Sequence, residues 1–255
     1  RKYKTLFIVD EVQTGLGRTG KMFGYEHWNL EPDMICVAKA LSGGFIPVGA
    51  ILYRRDIYKK VFSSMENCVV HSNTFGRNSL AMAAGLATLE IIEQEKLVEN
   101  SQKCGELLSK RMNALIEKYE MFSEARIKGL MVGLEFGPPK SMKLKVGWKM
   151  IHAANKGLFG QMIVVPLMTE HKILSQVAGH NVDIIKLLPP LTLTEEDINY
   201  FADSFEKVVA ECHRFPGGAW DVGKQLATQA LKAQKQSKQS INLEASLYES
   251  ESSPL

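Results

Sequence analysis

Two short apolar runs near the start of the chain each end on a chemically distinctive side chain. Thr5 to Val9 leads into Asp10-Glu11, and Met34 to Val37 leads through Ala38 into Lys39. Runs that stay apolar without alternation read as interior strands of a parallel sheet in an α/β protein. Neighbouring strands of such a sheet deliver Asp10 and Lys39 to one rim, which is where open α/β sheets bind ligands. Strand alternation points Asp10 and Glu11 to opposite sides and puts Val12 back on the Asp10 side.

A set of further motifs follows in order. Asp10-Glu11-Val12-Gln13-Thr14-Gly15-Leu16-Gly17-Arg18-Thr19-Gly20 is followed by Ala38-Lys39-Ala40-Leu41-Ser42-Gly43-Gly44, then Asn73-Thr74-Phe75-Gly76. Lys128-Gly129-Leu130-Met131-Val132-Gly133-Leu134-Glu135 and Leu188-Pro189-Pro190-Leu191 complete it. Across roughly residues 3 to 212 the chain resembles the class III (ornithine-, acetylornithine- and putrescine-type) aminotransferases, and several motifs in order are far more specific than any one alone. The resemblance implies an α/β, fold-type I transferase dependent on pyridoxal 5'-phosphate. It implies an amino group moved from an amine or ω-amino donor to a 2-oxo acid acceptor by a ping-pong route, through an aldimine on Lys39.

The resemblance also assigns residues. Lys39 becomes the Schiff-base lysine, whose neutral amine then moves a proton as general base and acid. Asp10 faces the pyridine nitrogen and keeps it protonated, so that the ring accepts carbanion electrons. Val12 packs on the ring face, and Gln13 donates a hydrogen bond to the phenolic oxygen without adding charge. Thr74 reaches the cofactor phosphate of the opposite subunit, which implies a homodimer or higher assembly. Gly76-Arg77-Asn78-Ser79 stands where the family more often has Gly-Gly-Asn-Pro. Lys186 occupies the position where amino-acid-using relatives place an arginine. An ammonium is a point charge and cannot grip a carboxylate as a planar guanidinium does, which moves the expected donor toward terminal amines. The same cofactor residues would also serve an aminomutase or a decarboxylase, and a catalytically incomplete chain would act only as a dimerising or binding module.

Two phosphate-binding motifs fail on inspection. Gly15-Leu16-Gly17-Arg18-Thr19-Gly20 fits G-x-G-x-x-G after a strand, with Glu31 and Asp33 beyond it, but no helical stripe opens at Gly20. The same stretch nearly fits the nucleotide P-loop, yet Met22 replaces the Ser/Thr that would hold magnesium. The histidines show no ligand spacing, so no metal is expected.

Composition is that of an ordinary globular enzyme, with 45% apolar and 23% charged residues. A net charge of +3 is too small and dispersed to suggest nucleic acid. No apolar run is long enough to cross a bilayer, and Cys36, Cys68, Cys104 and Cys212 lack metal or redox spacing, which suggests buried thiols and a cytoplasmic enzyme.

The chain opens at Arg1 without a methionine and already inside a strand, so a longer parent is expected. Residues 1–95 read as the C-terminal part of a large, mainly parallel-sheet cofactor domain. Residues 96–218 read as a small C-terminal α/β domain, and 219–255 as a polar, mobile tail. Strands are expected at Thr5–Val9, Met34–Val37, Val48–Tyr53, Leu130–Phe136, Met162–Pro166 and Ile184–Leu188. Helices are expected over Ser79–Glu93, Leu97–Tyr119 and Val146–Leu158, and after a Thr194 cap with Asp197 three residues on.

Overall fold

The computed structural model describes residues 2–3, 5–179, 182–229 and 232. The chain forms two compact units. Unit 1 comprises Arg1–Ser109, Ile127–Val132 and Leu188–Ile198; unit 2 comprises Lys110–Arg126, Gly133–Leu187 and Asn199–Leu255. The units therefore interleave along the chain, where the sequence reads as the contiguous stretches 1–95, 96–218 and 219–255.

Unit 1 is built on a three-stranded sheet of β1 (Ile8–Asp10), β2 (Met34–Val37) and β3 (Ala50–Tyr53), in that order. β1 and β2 are parallel, with Ile8 opposite Met34 and Asp10 opposite Cys36. β2 and β3 are antiparallel, from Met34 opposite Tyr53 to Val37 opposite Ala50. The end of the sheet away from Asp10 is fixed by Asp33, which is buried. Its carboxylate accepts the Phe7 N–H at 2.8 Å and pairs with Arg54 at 2.8 Å, tying the approach to β1 to the exit of β3.

Helix α1 (Arg55–Val61) follows β3. Helix α2 (Ser79–Gln94) starts where Asn78 accepts the Ala81 N–H at 2.8 Å, an N-cap of the usual kind. Its buried Ile92 joins Leu16, Val37, Leu41 and Leu97 in the unit's core, so the strand, the glycine loop and both flanking helices share one apolar cluster. Helix α3 (Leu97–Lys118) buries Leu97, Cys104, Leu108, Met112 and Leu115 at helical spacing.

The remaining strands form a second sheet in the order β4-β5-β7-β6, from β4 (Phe122–Lys128), β5 (Met131–Phe136), β6 (Gln176–Val177) and β7 (Ile184–Leu187). β6 and β7 run antiparallel. Unit 2 also holds helices α4 (Met142–Ala154) and α5 (Leu158–Thr169), while α6 (Glu195–Cys212) begins in unit 1 and ends in unit 2. The expected cap of α6 forms reciprocally: Asp197 N–H donates to Thr194 Oγ1 at 3.2 Å, and Asp197 Oδ2 accepts from Thr194 N–H at 2.9 Å. In unit 2, Phe122, Phe136, Phe159 and Phe205 pack at ring separations of 5.3 to 5.4 Å.

The structure corrects three expectations. Met162–Pro166 is not a strand but part of α5, whose Phe159, Gly160, Met162, Ile163 and Leu167 are buried. Its other face carries Leu158, Val164, Val165 and Met168, so no polar stripe reveals the period. Residues 219–229 are helical, with Trp220 fully buried and its indole N–H donating to Cys212 O at 2.9 Å. The rest of the expected tail, apart from residue 232, lies outside the described residues. Cys104 and Cys212 are buried as expected, Cys36 is half-buried, and Cys68 is exposed.

Candidate active site

Asp10 is the last residue of β1, and the hydrogen-bond ladder runs one step further, through Glu11 N–H to Cys36 O at 2.9 Å. Beyond it the chain turns, and Asp10 Oδ1 accepts the Val12 N–H at 3.0 Å. This turn orients the exposed Asp10 carboxylate and leaves its Oδ2 without a partner among the described residues. Val12 and Gln13 are half-buried in the same turn. Glu11 goes the other way and is buried.

Lys39 opens the short 3-10 helix Lys39–Ser42, two residues past the end of β2. Its φ of 47° lies in the left-handed region, an uncommon conformation for a non-glycine residue that must be held by its surroundings. What holds it is local: Leu41 sits in the unit 1 core, the helix packs on α2, and Gly43 closes it at φ 64°. Buried Ser42 bonds through its hydroxyl to Ile46 O, which closes the following loop. Among the described residues the Lys39 side chain makes no hydrogen bond or ion pair. Parallel pairing of β1 with β2 thus brings Asp10 and Lys39 to the same end of the sheet.

Thr74 is exposed in the turn before α2, where Asn78 Nδ2 donates to Phe75 O at 2.9 Å. Lys186 is half-buried on β7, opposite Gln176, and belongs to unit 2, whereas Asp10, Val12, Gln13, Lys39 and Thr74 all belong to unit 1. Asp10 also lines a cavity of about 400 Å³ with Tyr25, Trp28, Leu30 and Lys128. A larger cavity of about 770 Å³, between the 20–27 loop and α3, is lined by neither Asp10 nor Lys39.

The glycine loop behind Asp10 does not open a helix at Gly20. Gly20 has φ 82°, and a Cβ there would meet Gln102 Oε1 at 2.2 Å, so the glycine serves close packing on α3. Arg18 donates to Leu130 O at 3.2 Å and to Pro189 O, joining three separated stretches of unit 1. Burial pulls the Arg18 pKa below its ordinary value, and no carboxylate pairs with it among the described residues. Glu11 and Arg18 are structural anchors that the sequence did not reveal as such; buried charge beside glycines was the available signal.

These residues fit pyridoxal phosphate by the chemistry of the donor set. Among the described residues one Asp10 carboxylate oxygen and the Lys39 amine have no partner, and a branched side chain and an amide follow on one turn. Among the described residues no group of His, Cys, Asp and Glu is arranged to hold a metal, and no helix is long and apolar enough to cross a membrane.

The sequence matches the family model described as "Aminotransferase class-III" over residues 1–209. It is 38% identical over 206 residues to an acetylornithine aminotransferase of Caldanaerobacter subterraneus subsp. tengcongensis, covering 81% of this chain and 45% of that protein. It is 32% identical over 212 residues to an uncharacterised aminotransferase of Schizosaccharomyces pombe, covering 82% and 42%. The crystal structure of acetylornithine aminotransferase from Elizabethkingia anophelis superposes with a TM-score of 0.65 at 34% identity, covering 82% of this chain and 47% of that one. The chain thus spans less than half the length of these relatives. Within that span it shares the mixed α/β architecture of the fold-type I enzymes. The chain belongs to the class III aminotransferases.

Proposed function

We propose that the protein containing this chain is a pyridoxal-phosphate-dependent transaminase that moves an amino group from an amine or ω-amino donor to a 2-oxo acid by a ping-pong route. One observation carries the reading: Asp10 and an unpaired Lys39 lie at one end of a parallel strand pair, in a chain of this family. The cofactor supplies an electron sink for the carbanion formed at the substrate carbon. Asp10, whose Oδ1 accepts the Val12 N–H, would offer its second oxygen to the cofactor's ring nitrogen and favour its protonated form. Val12 covers the ring face and Gln13 donates to the ring oxygen. Lys39 Nζ would hold the cofactor's carbonyl carbon, and its neutral amine would take up and return a proton at the substrate carbon. Thr74, ahead of the α2 N-terminus, donates to the phosphate of a partner subunit.

A homodimer or higher assembly is part of the proposal. It is supported by unit 1's exposed apolar residues, among them Phe7, Ile8, Leu80 and Leu86. A cytoplasmic setting is supported by the four free thiols. Borohydride reduction of the whole loaded protein, followed by peptide mapping, is expected to place the cofactor on Lys39. Label on another lysine overturns the assignment.

A further inference from the structure

Glu11 is a buried, fully engaged carboxylate of unit 1, and nothing in the transamination scheme uses it. Its Oε2 accepts the Gly24 N–H at 2.9 Å and the Thr14 hydroxyl, and its Oε1 accepts the Tyr25 N–H at 2.8 Å. The side chain is only 4% exposed and has no cationic partner among the described residues. A buried carboxylate without a counter-charge is costly unless donors converge on it, and here three do. Two of them are N–H groups where the 3-10 helix Gly24–Trp28 begins, donors that such a helix leaves unpaired.

The glycines beside it have a matching purpose. A Cβ at Gly24 would stand 3.2 Å from Glu11 Oε2, and one at Gly15 would stand 2.8 Å from Glu11 O. Gly24 is thus fitted to the carboxylate and Gly15 to the Glu11 backbone carbonyl. Glu11 is also the residue whose N–H makes the last ladder bond to Cys36 O, between Asp10 and Val12. Its backbone is held from the β2 side and its side chain from the loop side. With both fixed, the direction in which Asp10, Val12 and Gln13 leave the strand is fixed too.

We infer that Glu11 is a positioning residue: it sets the Asp10–Gln13 turn against the cofactor by gathering the Gly24 and Tyr25 N–H groups and the Thr14 hydroxyl. This rests on the proposed cofactor reading, but its geometric part does not need the cofactor. Glu11→Gln keeps the volume and presents an NH2 group where an N–H already points, which breaks one of the two backbone bonds. Gly24→Ala keeps the charge and pushes the carboxylate with a methyl.

Both variants are made in the whole protein and read two ways. Amide hydrogen exchange without cofactor is expected to speed up by about tenfold or more in Glu11→Gln at whichever of the Gly24 and Tyr25 amides faces the new NH2 group. In the loaded protein, the pyridoxal phosphate Kd is expected to rise about tenfold, and the pH midpoint of the bound cofactor's visible absorption to shift by about half a unit. Gly24→Ala should move the same readouts in the same direction, less far, and it decides the matter should Glu11→Gln not fold. Unchanged exchange at both amides overturns the anchor. Faster exchange with unchanged Kd and midpoint makes Glu11 purely structural and also overturns the inference. Failure of the cofactor reading shows separately, as reduction that labels no Lys39.

Discussion

Asp10 and Cys36 stand opposite each other in the parallel β1–β2 register, so the step from Cys36 through Val37 and Ala38 to Lys39 starts level with the Asp10 carboxylate. Parallel strands end on the same side by construction, which an antiparallel pair would not achieve. β3, which is antiparallel to β2, contributes no candidate residue at that end.

Asp10→Asn removes the charge that the proposal sets against the ring nitrogen while keeping the acceptor for the Val12 N–H. Cofactor binding should persist. The rate of substrate carbanion formation should fall by several powers of ten, since each ~1.4 kcal/mol of lost stabilisation costs about tenfold. Stopped-flow measurement of the donor half-reaction checks this. Turnover within a few-fold of the native rate would mean that Asp10 is not the nitrogen's partner.

Arg18 gives a stability prediction free of any cofactor. Its guanidinium serves Leu130 O and Pro189 O, and Leu130 is fully buried. Arg18→Met retains the apolar stem and strands both carbonyls, for a loss of about 2 kcal/mol or more in denaturant unfolding. Arg18→Lys should recover part of it, because an ammonium reaches one carbonyl more readily than two. Equal stability of all three proteins would show that the carbonyls find water instead.

The reach of the sequence can be judged from particular elements. β2 falls on Met34–Val37 as expected, a short apolar run bounded by Asp33 and Lys39. α3 was legible from its seam of Leu97, Cys104, Leu108, Met112 and Leu115. β4 was missed: Ser123, Glu124, Arg126 and Lys128 make it mostly polar, with Phe122 as its single buried residue. α5 was misread because its less buried face, with Leu158, Val164, Val165 and Met168, is apolar too, which erases the period. At the site, residue types were legible, since Asp10 and Lys39 follow strands. The Glu11 anchor was not, because its partners are backbone N–H groups, which carry no side-chain signature. The interleaving of the two units was equally hidden, since Ile127–Val132 and Leu188–Ile198 join unit 1 through contacts remote in sequence.

Two histidines of unit 2 are set in opposite charge states, which yields a pH prediction. His152 faces acceptors on both nitrogens, Trp148 O at 2.9 Å and Asp183 Oδ2 at 2.6 Å, so only the imidazolium satisfies both. Burial works to lower its pKa, but the Asp183 hydrogen bond and charge and the Trp148 carbonyl outweigh it, and the pKa is raised. His213 instead accepts from Met121 N–H at 3.1 Å and faces Val209 O at 2.8 Å, an arrangement for the neutral ring, and burial lowers its pKa. A raised histidine pKa stabilises fully below the unfolded value, near 6.5, and the benefit is lost as pH rises through the folded pKa. Hence the stability difference between native protein and His152→Gln should be largest on the acid side of that window and shrink as pH rises through it. Thermal unfolding of both proteins across that range tests this, and the subtraction cancels the opposing His213 contribution. A difference that grows with pH would contradict the assigned charge state.

Lys186, half-buried on β7, is proposed to take part in substrate choice. If its ammonium faces the donor, it offers a carboxylate one charge and no planar pair of parallel N–H groups. Terminal amines should then be preferred as donors over α-amino acids. Lys186→Arg should raise kcat/KM for α-amino-acid donors relative to amines, and a gain of about tenfold needs only ~1.4 kcal/mol, within what one charge-assisted hydrogen bond supplies. The whole protein is to be assayed with putrescine, a long-chain amine and ornithine, each with 2-oxoglutarate. Because only the ratio between donors is read, a general loss of activity in the variant does not imitate the effect. Ornithine reacting best at its α-amine, together with an unchanged ratio in Lys186→Arg, would remove Lys186 from the donor site.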